Sequence, residues 1–333
     1  MTNTGTLALN RFLVIAVALG LSACGKTSAP RPPERTIPLP NVKGRIDHFT
    51  IDLPNERLFV CALGNDSVEV IDLRNGERVH SITGLGSPQG VAYIGEIGKL
   101  IVANDKGGLV NIYDGNSFAL TGSVDLKDDA DNLRYDSAAK QVYVGYGNGG
   151  LAVMDPQRNK LIRSIELSGH PEAFVLENHG PRIFVNIPAA HEVAVVNREE
   201  GKVIARWNTG AASANFPMAF DETHHRLFLG CRSPAELVVL NSDSGAIVAT
   251  APISSDPDDV FFDETHHRLF AICGGGSVAV IEQVDADRYE TKSTITTASG
   301  ARTGLFVPEL NSLFVAVPQR WNQTAEIRRY NIE

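Results

Sequence analysis

Three features of the sequence predict an all-β fold, a seven-bladed β-propeller: a unit that occurs seven times, short strand-like runs within each unit, and no sustained helical periodicity. The chain has 333 residues, of which 43% are hydrophobic and 21% charged, and this ordinary globular composition excludes a disordered or collagen-like chain. Within each unit, turn residues separate runs that are rich in β-branched and aromatic residues, as Asn75-Gly76 does in the first unit.

The repeat is defined by one position that recurs in every unit at intervals of 40 to 45 residues. That position is occupied by His48, Gly90, Asn132, Glu172, Pro217, Asp259 and Thr303. A four-stranded propeller blade has about this length. We therefore expect residues 35–333 to form one domain of seven blades.

The N-terminal part of this domain supplies the strand that the last unit lacks. The last unit ends after its third strand, whereas Arg35–Leu39 lines up with Arg163–Leu167, the fourth strand of the third unit. We expect residues 36–39 to pair with residues 327–330. An N-terminal strand then closes the last blade and leaves no open sheet edge.

The first 34 residues predict a lipid anchor. Arg11 precedes the apolar run Phe12–Ala23, which is too short to span a bilayer and suits a secretory signal peptide. The run ends in Leu21-Ser22-Ala23-Cys24, which resembles the lipobox of bacterial lipoproteins. We expect a signal peptide over residues 1–23, lipid on Cys24, and a Pro-rich tether over residues 24–34. Because Gly25 rather than Asp follows the cysteine, the expected location is the outer membrane of the cell envelope, facing the periplasm.

Charge and cysteine content restrict the partners. The formal net charge is −9 and no Lys/Arg block occurs, so no nucleic-acid partner is expected. We expect a monomer that is attached to the membrane through its lipid.

Cys231 and Cys273 occupy equivalent positions in neighbouring units, where a disulfide, a soft-metal pair and two buried thiols are all possible. Neighbouring blades diverge outward, which favours buried thiols.

The strand motifs resemble those of the YVTN-type, YncE-like seven-bladed propellers of bacteria. The second strand of that family reads Tyr-Val-Thr-Asn, and Ile101-Val102-Ala103-Asn104 and Ile183-Phe184-Val185-Asn186 come close to it. The third strand, Val68 to Asp72, matches the family better, while copies such as Leu58-Phe59-Val60-Cys61 depart from it. The resemblance covers residues 35–333 and implies the fold. It implies little about function, because the repeated residues pack blades together.

The candidate site lies where the loops that lead into the innermost strands converge around the central channel. Polar residues that differ from blade to blade are not explained by packing, because packing demands repeat. The candidate ligand-binding residues are His48, Gln89, Asn132, Glu172, Asn215, Asp259 and Arg302. Their mixed charge favours a small polar or zwitterionic ligand. We therefore expect a binding or scaffold module for such a ligand or for an envelope protein; a water-filled channel with a polar lining is the structural alternative.

A channel-face hydrolase or lyase is the alternative function. A central set of carboxylates and amides could bind Ca²⁺, as in lactonases of the gluconolactonase type: Asp131, Glu172, Asp258, Asp259, Asn132 and Asn215. The spacing identifies no general-acid partner, so no catalytic residue is assigned and no metal or cofactor is expected.

A repeated octapeptide with two histidines in each copy is the last candidate metal site. Asp221–Phe228 recurs without change as Asp263–Phe270. Adjacent histidines tend to point apart in a turn, and both copies fall on the face away from the convergent loops. We expect duplicated turns with a structural role.

Overall fold

The computed structural model describes residues 1–2 and 31–333, and in this part of the chain the fold is the predicted one. Twenty-eight β-strands form seven four-stranded antiparallel sheets. In six of these blades the four strands follow one another along the chain from the innermost to the outermost. The seventh blade combines three C-terminal strands with one N-terminal strand, which closes the ring.

The first four blades are built from consecutive segments. The first blade consists of β2 (Phe49–Asp52), β3 (Arg57–Ala62), β4 (Ser67–Asp72) and β5 (Glu77–Thr83). The second consists of β6 (Pro88–Ile94), β7 (Lys99–Asn104), β8 (Leu109–Asp114) and β9 (Leu120–Asp125). The third consists of β10 (Ala130–Asp136), β11 (Gln141–Tyr146), β12 (Gly150–Asp155) and β13 (Lys160–Glu166). The fourth consists of β14 (Phe174–Leu176), β15 (Arg182–Ile187), β16 (Glu192–Asn197) and β17 (Lys202–Asn208).

The remaining blades complete the ring. The fifth consists of β18 (Ser213–Asp221), β19 (Arg226–Ser233), β20 (Ala235–Asn241) and β21 (Ile247–Pro252). The sixth consists of β22 (Pro257–Asp263), β23 (Arg268–Cys273), β24 (Ser277–Asp285) and β25 (Arg288–Thr296). The seventh consists of β26 (Gly304–Val307), β27 (Ser312–Val317), β28 (Glu326–Asn331) and β1 (Arg35–Pro38). Short 3-10 helices occupy Leu63–Asn65, Gly95–Ile97, Pro188–Ala190 and Pro308–Leu310.

The predicted closure by the N-terminal strand is confirmed. β1 is the outermost strand of the seventh blade and runs antiparallel to β28, with Ile37 opposite Ile327. Beyond the strand, the backbone N–H of Leu39 donates to the carbonyl oxygen of Ala325 at 2.9 Å. Ile37 and Leu39 are each 1% exposed, so this segment is part of the core.

The core lies between the blades, and this explains the repeat. One side chain from the middle of each second strand is fully buried against the next blade around the ring: Phe59, Ile101, Tyr143, Phe184, Phe228, Phe270 and Phe314. Burial of each such side chain contributes roughly 1.5–3 kcal/mol. The same requirement recurs in every blade, and the sequence repeats accordingly.

The cysteine prediction is also confirmed, whereas the predicted anchor is beyond the structural description. Cys61, Cys231 and Cys273 are buried and free. Cys24 and almost all of the predicted signal peptide and tether lie outside the described residues. Among the residues that are described, no helix has the length and apolar character that crossing a membrane requires.

The two ends of the central channel differ. We call the end with the loops that lead into the innermost strands the mouth face. The other end, with the turns that follow these strands, we call the turn face. Bulges interrupt four innermost strands close to the mouth face, between Pro88 and Val91, Ala130 and Leu133, Asn215 and Met218, and Pro257 and Asp259. A bulge re-aims the neighbouring side chains, so residues at the mouth depart from strict alternation.

Candidate functional site

Strand register sorts the mouth residues into two rings, one below the other. The upper ring consists of the equivalent residues Asp47, Gln89, Asp131, Glu172, Phe216, Asp258 and Arg302. The second ring, one residue further along each chain segment, consists of His48, Gly90, Asn132, Ala173, Pro217, Asp259 and Thr303. Most of the upper ring is charged, and its members differ between blades.

The register corrects one alignment drawn from the sequence. Repeat spacing aligned Glu172 with His48, but the structure aligns Glu172 with Asp47. The N–H of Glu172 donates to Asn186 and the N–H of Asn186 to Ala173, the same pattern that joins Asp47, Cys61 and His48 in the first blade. Spacing misses this because loop lengths vary between blades, whereas backbone pairing fixes the register.

Arginines neutralise part of the upper ring. Nε of Arg302 lies 2.9 Å from Oδ2 of Asp258, and Arg232 forms a second ion pair with the same carboxylate. Burial raises the pKa of Asp258, and the two guanidinium groups oppose that rise. Nη1 of Arg302 also lies 3.0 Å from Oδ1 of Asp256. Two carboxylates therefore already bind Arg302, which holds it in place at the mouth.

His48 and Asp259 form the polar contact of the second ring. Nδ1 of His48 lies 3.4 Å from Oδ1 of Asp259, and the N–H of Gly304 donates to the other carboxylate oxygen at 2.8 Å. Burial alone would lower the pKa of His48, but the carboxylates of Asp259, Asp47 and Asp131 raise it to about 10. His48 is therefore an imidazolium at neutral pH, held between carboxylates of different blades.

A second acidic and imidazole group spans the third and fourth blades. Nε2 of His170 lies 3.7 Å from Oδ2 of Asp131, and one ligand atom from each of Asp131, His170 and Glu172 falls within 4.8 Å of the others. Contact with Asp131 raises the pKa of His170 against the opposing effect of burial. Burial and the nearby Asp131 raise the pKa of Glu172. In the described residues no hydrogen bond or ion pair reaches the Glu172 carboxylate.

A cavity of about 450 Å³ with both polar and apolar lining lies below the two rings, inside the channel. His48, Asn132 and Asp259 line its upper part, and side chains such as Phe261 form its wall. Arg134 lies two residues beyond Asn132 and also lines this cavity. Its Nη1 donates to the carbonyl oxygen of Leu133 at 2.8 Å. Among the described residues, no carboxylate lies within ion-pair distance of this guanidinium, and burial lowers the pKa of Arg134.

The structure brings together six of the seven residues predicted for the site and separates one. Gln89, Glu172 and Arg302 belong to the upper ring, and His48, Asn132 and Asp259 line the cavity. Asn215 is fully buried between blades, where its Nδ2 donates to Oδ1 of Asn186 at 2.9 Å and to the carbonyl oxygen of Glu192 at 3.0 Å. Phe216 takes the ring position instead, because the chain bulges between Asn215 and Met218.

Sequence reasoning missed several residues of the site. Asp47, His170 and Arg232 carry charge at the mouth but were not among the predicted ligand contacts. Arg134 had a usable signal, because it follows Asn132 by two residues in the same predicted strand and so shares its side. Arg232 had none, because it comes from the second strand of its blade and reaches the mouth only through the ring geometry.

The turn face has features of its own. The histidine turns are duplicated turns, as predicted: Nδ1 of His224 lies 2.8 Å from Oδ2 of Asp221, and His266 makes the same contact with Asp263. However, a cavity of about 830 Å³, larger than the one in the channel, opens at this face and is lined in part by His225. The expectation that this face carries only structural turns is therefore incomplete.

Comparisons with known proteins show the fold. No protein-family model matches the chain, and no curated protein matches it. A chain of a mitotic checkpoint complex superposes with a TM-score of 0.76 at 15% identity, over 99% of both chains. A chain of hydrazine synthase from Kuenenia stuttgartiensis has a TM-score of 0.74 at 14% identity, over 94% of this chain and 100% of that one. At such low identity these likenesses establish the seven-bladed propeller and nothing about the ligand.

Proposed function

We propose that this protein is a lipid-anchored propeller of the bacterial cell envelope, related to the YVTN-type family, that binds a small polar ligand through the mouth face. The propeller fold commonly serves as a binding or scaffold module. A channel cavity of about 450 Å³ suits a small molecule better than a protein partner.

The observation that carries this proposal is Arg134. This guanidinium lines the cavity, is half-buried, lies 5.6 Å from the ring centroid of Phe174, and has no carboxylate partner among the described residues. A buried charge without a partner is costly, and natural proteins pair such groups or use them for ligands. Arg134 is therefore the anchor for an anionic group of the ligand.

The remainder of the ligand meets a polar end and an apolar wall. Toward the mouth lie His48, Asn132 and Asp259, and at the level of Arg134 and below it lie aromatic side chains such as Phe261. The carboxyl group of Glu172 belongs to the upper ring. Along the channel its level is three residues from that of Arg134, which corresponds to roughly 10 Å at the rise of a β-strand. A short peptide that binds Arg134 through its carboxylate would reach the carboxyl group of Glu172 with its amino end, and the positive charge of that end would favour the ionised form of Glu172.

The direction of β1 supports the lipid anchor as a functional arrangement. Arg35 begins this strand beside the turn at residues 73–76 on the turn face, where its Nη1 donates to the carbonyl oxygen of Leu73 at 3.1 Å. A lipid on Cys24 would hold that end near the membrane, and the mouth face would open toward the periplasm.

Native mass spectrometry of the full-length protein with free amino acids, dipeptides and tripeptides tests the ligand class. We expect a zwitterionic peptide to bind, and Arg134→Gln to weaken that binding about tenfold or more, because a charged hydrogen bond is lost. Arg288→Gln, which removes an exposed arginine of the outermost strand of the sixth blade, is the matched control and should bind like the wild type. The proposal fails if no member of the panel binds, or if the control loses binding and Arg134→Gln does not.

A further inference from the structure

We propose that the carboxylates of Asp131 and Glu172 and the imidazole of His170 bind a first-row divalent metal ion, such as Mn²⁺ or Zn²⁺, at the mouth face. One ligand atom from each side chain lies within 4.8 Å of the others. Atoms bound to one ion at about 2.1 Å in tetrahedral geometry are about 3.4 Å apart, so side-chain movements of about 1 Å bring the three ligand atoms to one ion. This inference goes beyond the proposed function, because a metal ion needs no organic ligand to bind.

His170 is held in the orientation that a metal ligand requires. Its Nδ1 lies 2.6 Å from the carbonyl oxygen of Gly147, and because a carbonyl only accepts, Nδ1 is the donor. The other ring nitrogen, Nε2, is therefore the one that faces Oδ2 of Asp131 at 3.7 Å. Histidines that bind metals commonly donate their second ring nitrogen to a backbone carbonyl, which fixes the tautomer and the ring orientation.

The amide of Asn132 is an independent indication of a bound cation. This side chain is 2% exposed, and its Oδ1 is buried without a hydrogen-bond partner in the described residues. Its Nδ2 lies 3.3 Å from Oδ1 of Asp131, so the amide is next to the carboxylate in question. A buried acceptor without a partner costs about 1–3 kcal/mol. Because Nδ2 is the amide atom that faces Asp131, the amide has to turn over for Oδ1 to meet a metal ion there; in that orientation the oxygen gains a partner and becomes the fourth protein ligand.

The donor set indicates the class of ion. Ca²⁺ prefers six to eight oxygen ligands, whereas imidazole suits ions such as Zn²⁺, Fe²⁺ and Ni²⁺, and carboxylates with an amide oxygen suit Mn²⁺. One imidazole with two carboxylates and an amide therefore favours a first-row transition ion over Ca²⁺. Because Asp131 belongs to the third blade and His170 and Glu172 to the entry of the fourth, the ion would also link two blades.

Titration of the full-length protein with Mn²⁺, followed by the electron paramagnetic resonance signal of the free ion, tests this site. We expect one tight Mn²⁺ site per chain, and a dissociation constant about tenfold higher or more in each of Asp131→Asn, His170→Gln and Glu172→Gln. Asp256→Asn is the matched control, because it removes the same charge at the same face from a carboxylate that binds Arg302. This control should leave the Mn²⁺ affinity unchanged.

Three outcomes would overturn the proposal: no Mn²⁺ or Zn²⁺ binding, equal affinity in wild type and all three variants, or equal loss in the Asp256 control. Displacement of Mn²⁺ by an equal concentration of Ca²⁺ would overturn the class of ion. Glu172→Gln is isosteric, and melting curves without metal show whether each variant is folded. Arg134→Gln should bind Mn²⁺ normally, so failure of the peptide site and failure of the metal site are separate results.

Discussion

At the scale of single residues, the charges of the channel divide into those that the protein already neutralises and those that it leaves free. Asp258 is bound by two arginines, and His48 is held by Asp259 and its acidic neighbours. Glu172 and Arg134 have no such partner in the described part of the chain. The neutralised residues contribute mainly to stability, whereas Arg134 and the carboxyl group of Glu172 are the groups on which a ligand can act.

His48 should make stability depend on pH in the alkaline range. Its pKa is raised from 6.5 in the unfolded chain to about 10 in the folded protein. The contribution is therefore fully present below pH 6.5 and is lost as the pH rises through about 10, because the folded state keeps the proton longer. Urea unfolding at pH 6.5 and about 9.5 should show a loss of a few kcal/mol in the wild type and a smaller loss in His48→Gln.

A surface histidine is the control for this pH dependence. The side chain of His179 is 89% exposed, so His179→Gln should behave like the wild type at both pH values. Equal pH dependence in His48→Gln and the wild type would contradict the assignment of this effect to the contact between His48 and Asp259.

Arg302 should contribute measurably to stability, because the carboxylate that it binds is buried. The side chains of Arg302 and Asp258 are 18% and 11% exposed. Arg302→Gln should lower the free energy of unfolding by about 1–3 kcal/mol, since a charged hydrogen bond is lost at a buried acid. Arg320→Gln removes an exposed arginine of the same face that donates to Ser299 Oγ at 3.2 Å, and should cost less. Equal free energies of unfolding for the two variants would show that the ion pair adds nothing.

At the scale of strands and loops, the sequence predicted the features that repeat and missed those that do not. The buried side chain of each second strand, Phe59 in the first blade and Phe270 in the sixth, recurs because every blade packs on the next in the same way. The burial of Asn215 depends on the local path of its own strand, and the ring position of Glu172 depends on the length of the loop before its strand. A repeat alignment averages over such local differences, so it locates the mouth but not every side chain in it.

Arg134 is the exception, because its position on the channel side of the strand could have been predicted from the sequence. It lies on β10 two residues after Asn132, and strand alternation puts both residues on the same side. The loops before each innermost strand do not reveal it, because Arg134 lies inside the strand.

Closure by β1 should stabilise the whole ring and not only the seventh blade. A chain that begins at Asn41 lacks β1 and exposes the edge of β28. It should unfold at a lower urea concentration, and its free energy of unfolding should be lower by several kcal/mol. Ile37→Ala should cost about 2–5 kcal/mol in the complete chain, because Ile37 is 1% exposed. Thr36→Ala, at an exposed position of the same strand, is the control and should have little effect.

Two results would contradict this role of the N-terminal strand. Equal unfolding curves for chains that begin at Arg35 and Asn41 would show that closure is energetically unimportant. A separate early transition in the shorter chain would show that the seventh blade unfolds without the others, against the expected cooperative loss.

At the scale of the whole molecule, the ring gives the two faces different roles. Every innermost strand runs from the mouth face to the turn face, so residues from seven blades meet at one opening although they are far apart in the chain. The turn face is where β1 begins and where the predicted tether of residues 24–34 joins the body. A lipid at Cys24 would thus connect the membrane to the end opposite the candidate ligand and metal sites.

Two cysteine labels test this orientation. Glu264→Cys places a thiol in an exposed turn of the turn face, and Gln319→Cys places one in an exposed loop of the mouth face. Because Cys61, Cys231 and Cys273 are buried and free, a thiol-reactive fluorophore should react mainly at the new site. In lipidated protein bound to vesicles, a quencher on the lipid headgroups should reduce the fluorescence of the Glu264→Cys label more than that of the Gln319→Cys label.

The variant Cys24→Ser should abolish membrane binding, so the difference in quenching between the two labels should disappear. The melting temperature of the propeller should stay unchanged. Stronger quenching on the mouth face would reverse the orientation, and vesicle binding by Cys24→Ser equal to that of the wild type would disprove the lipid anchor itself.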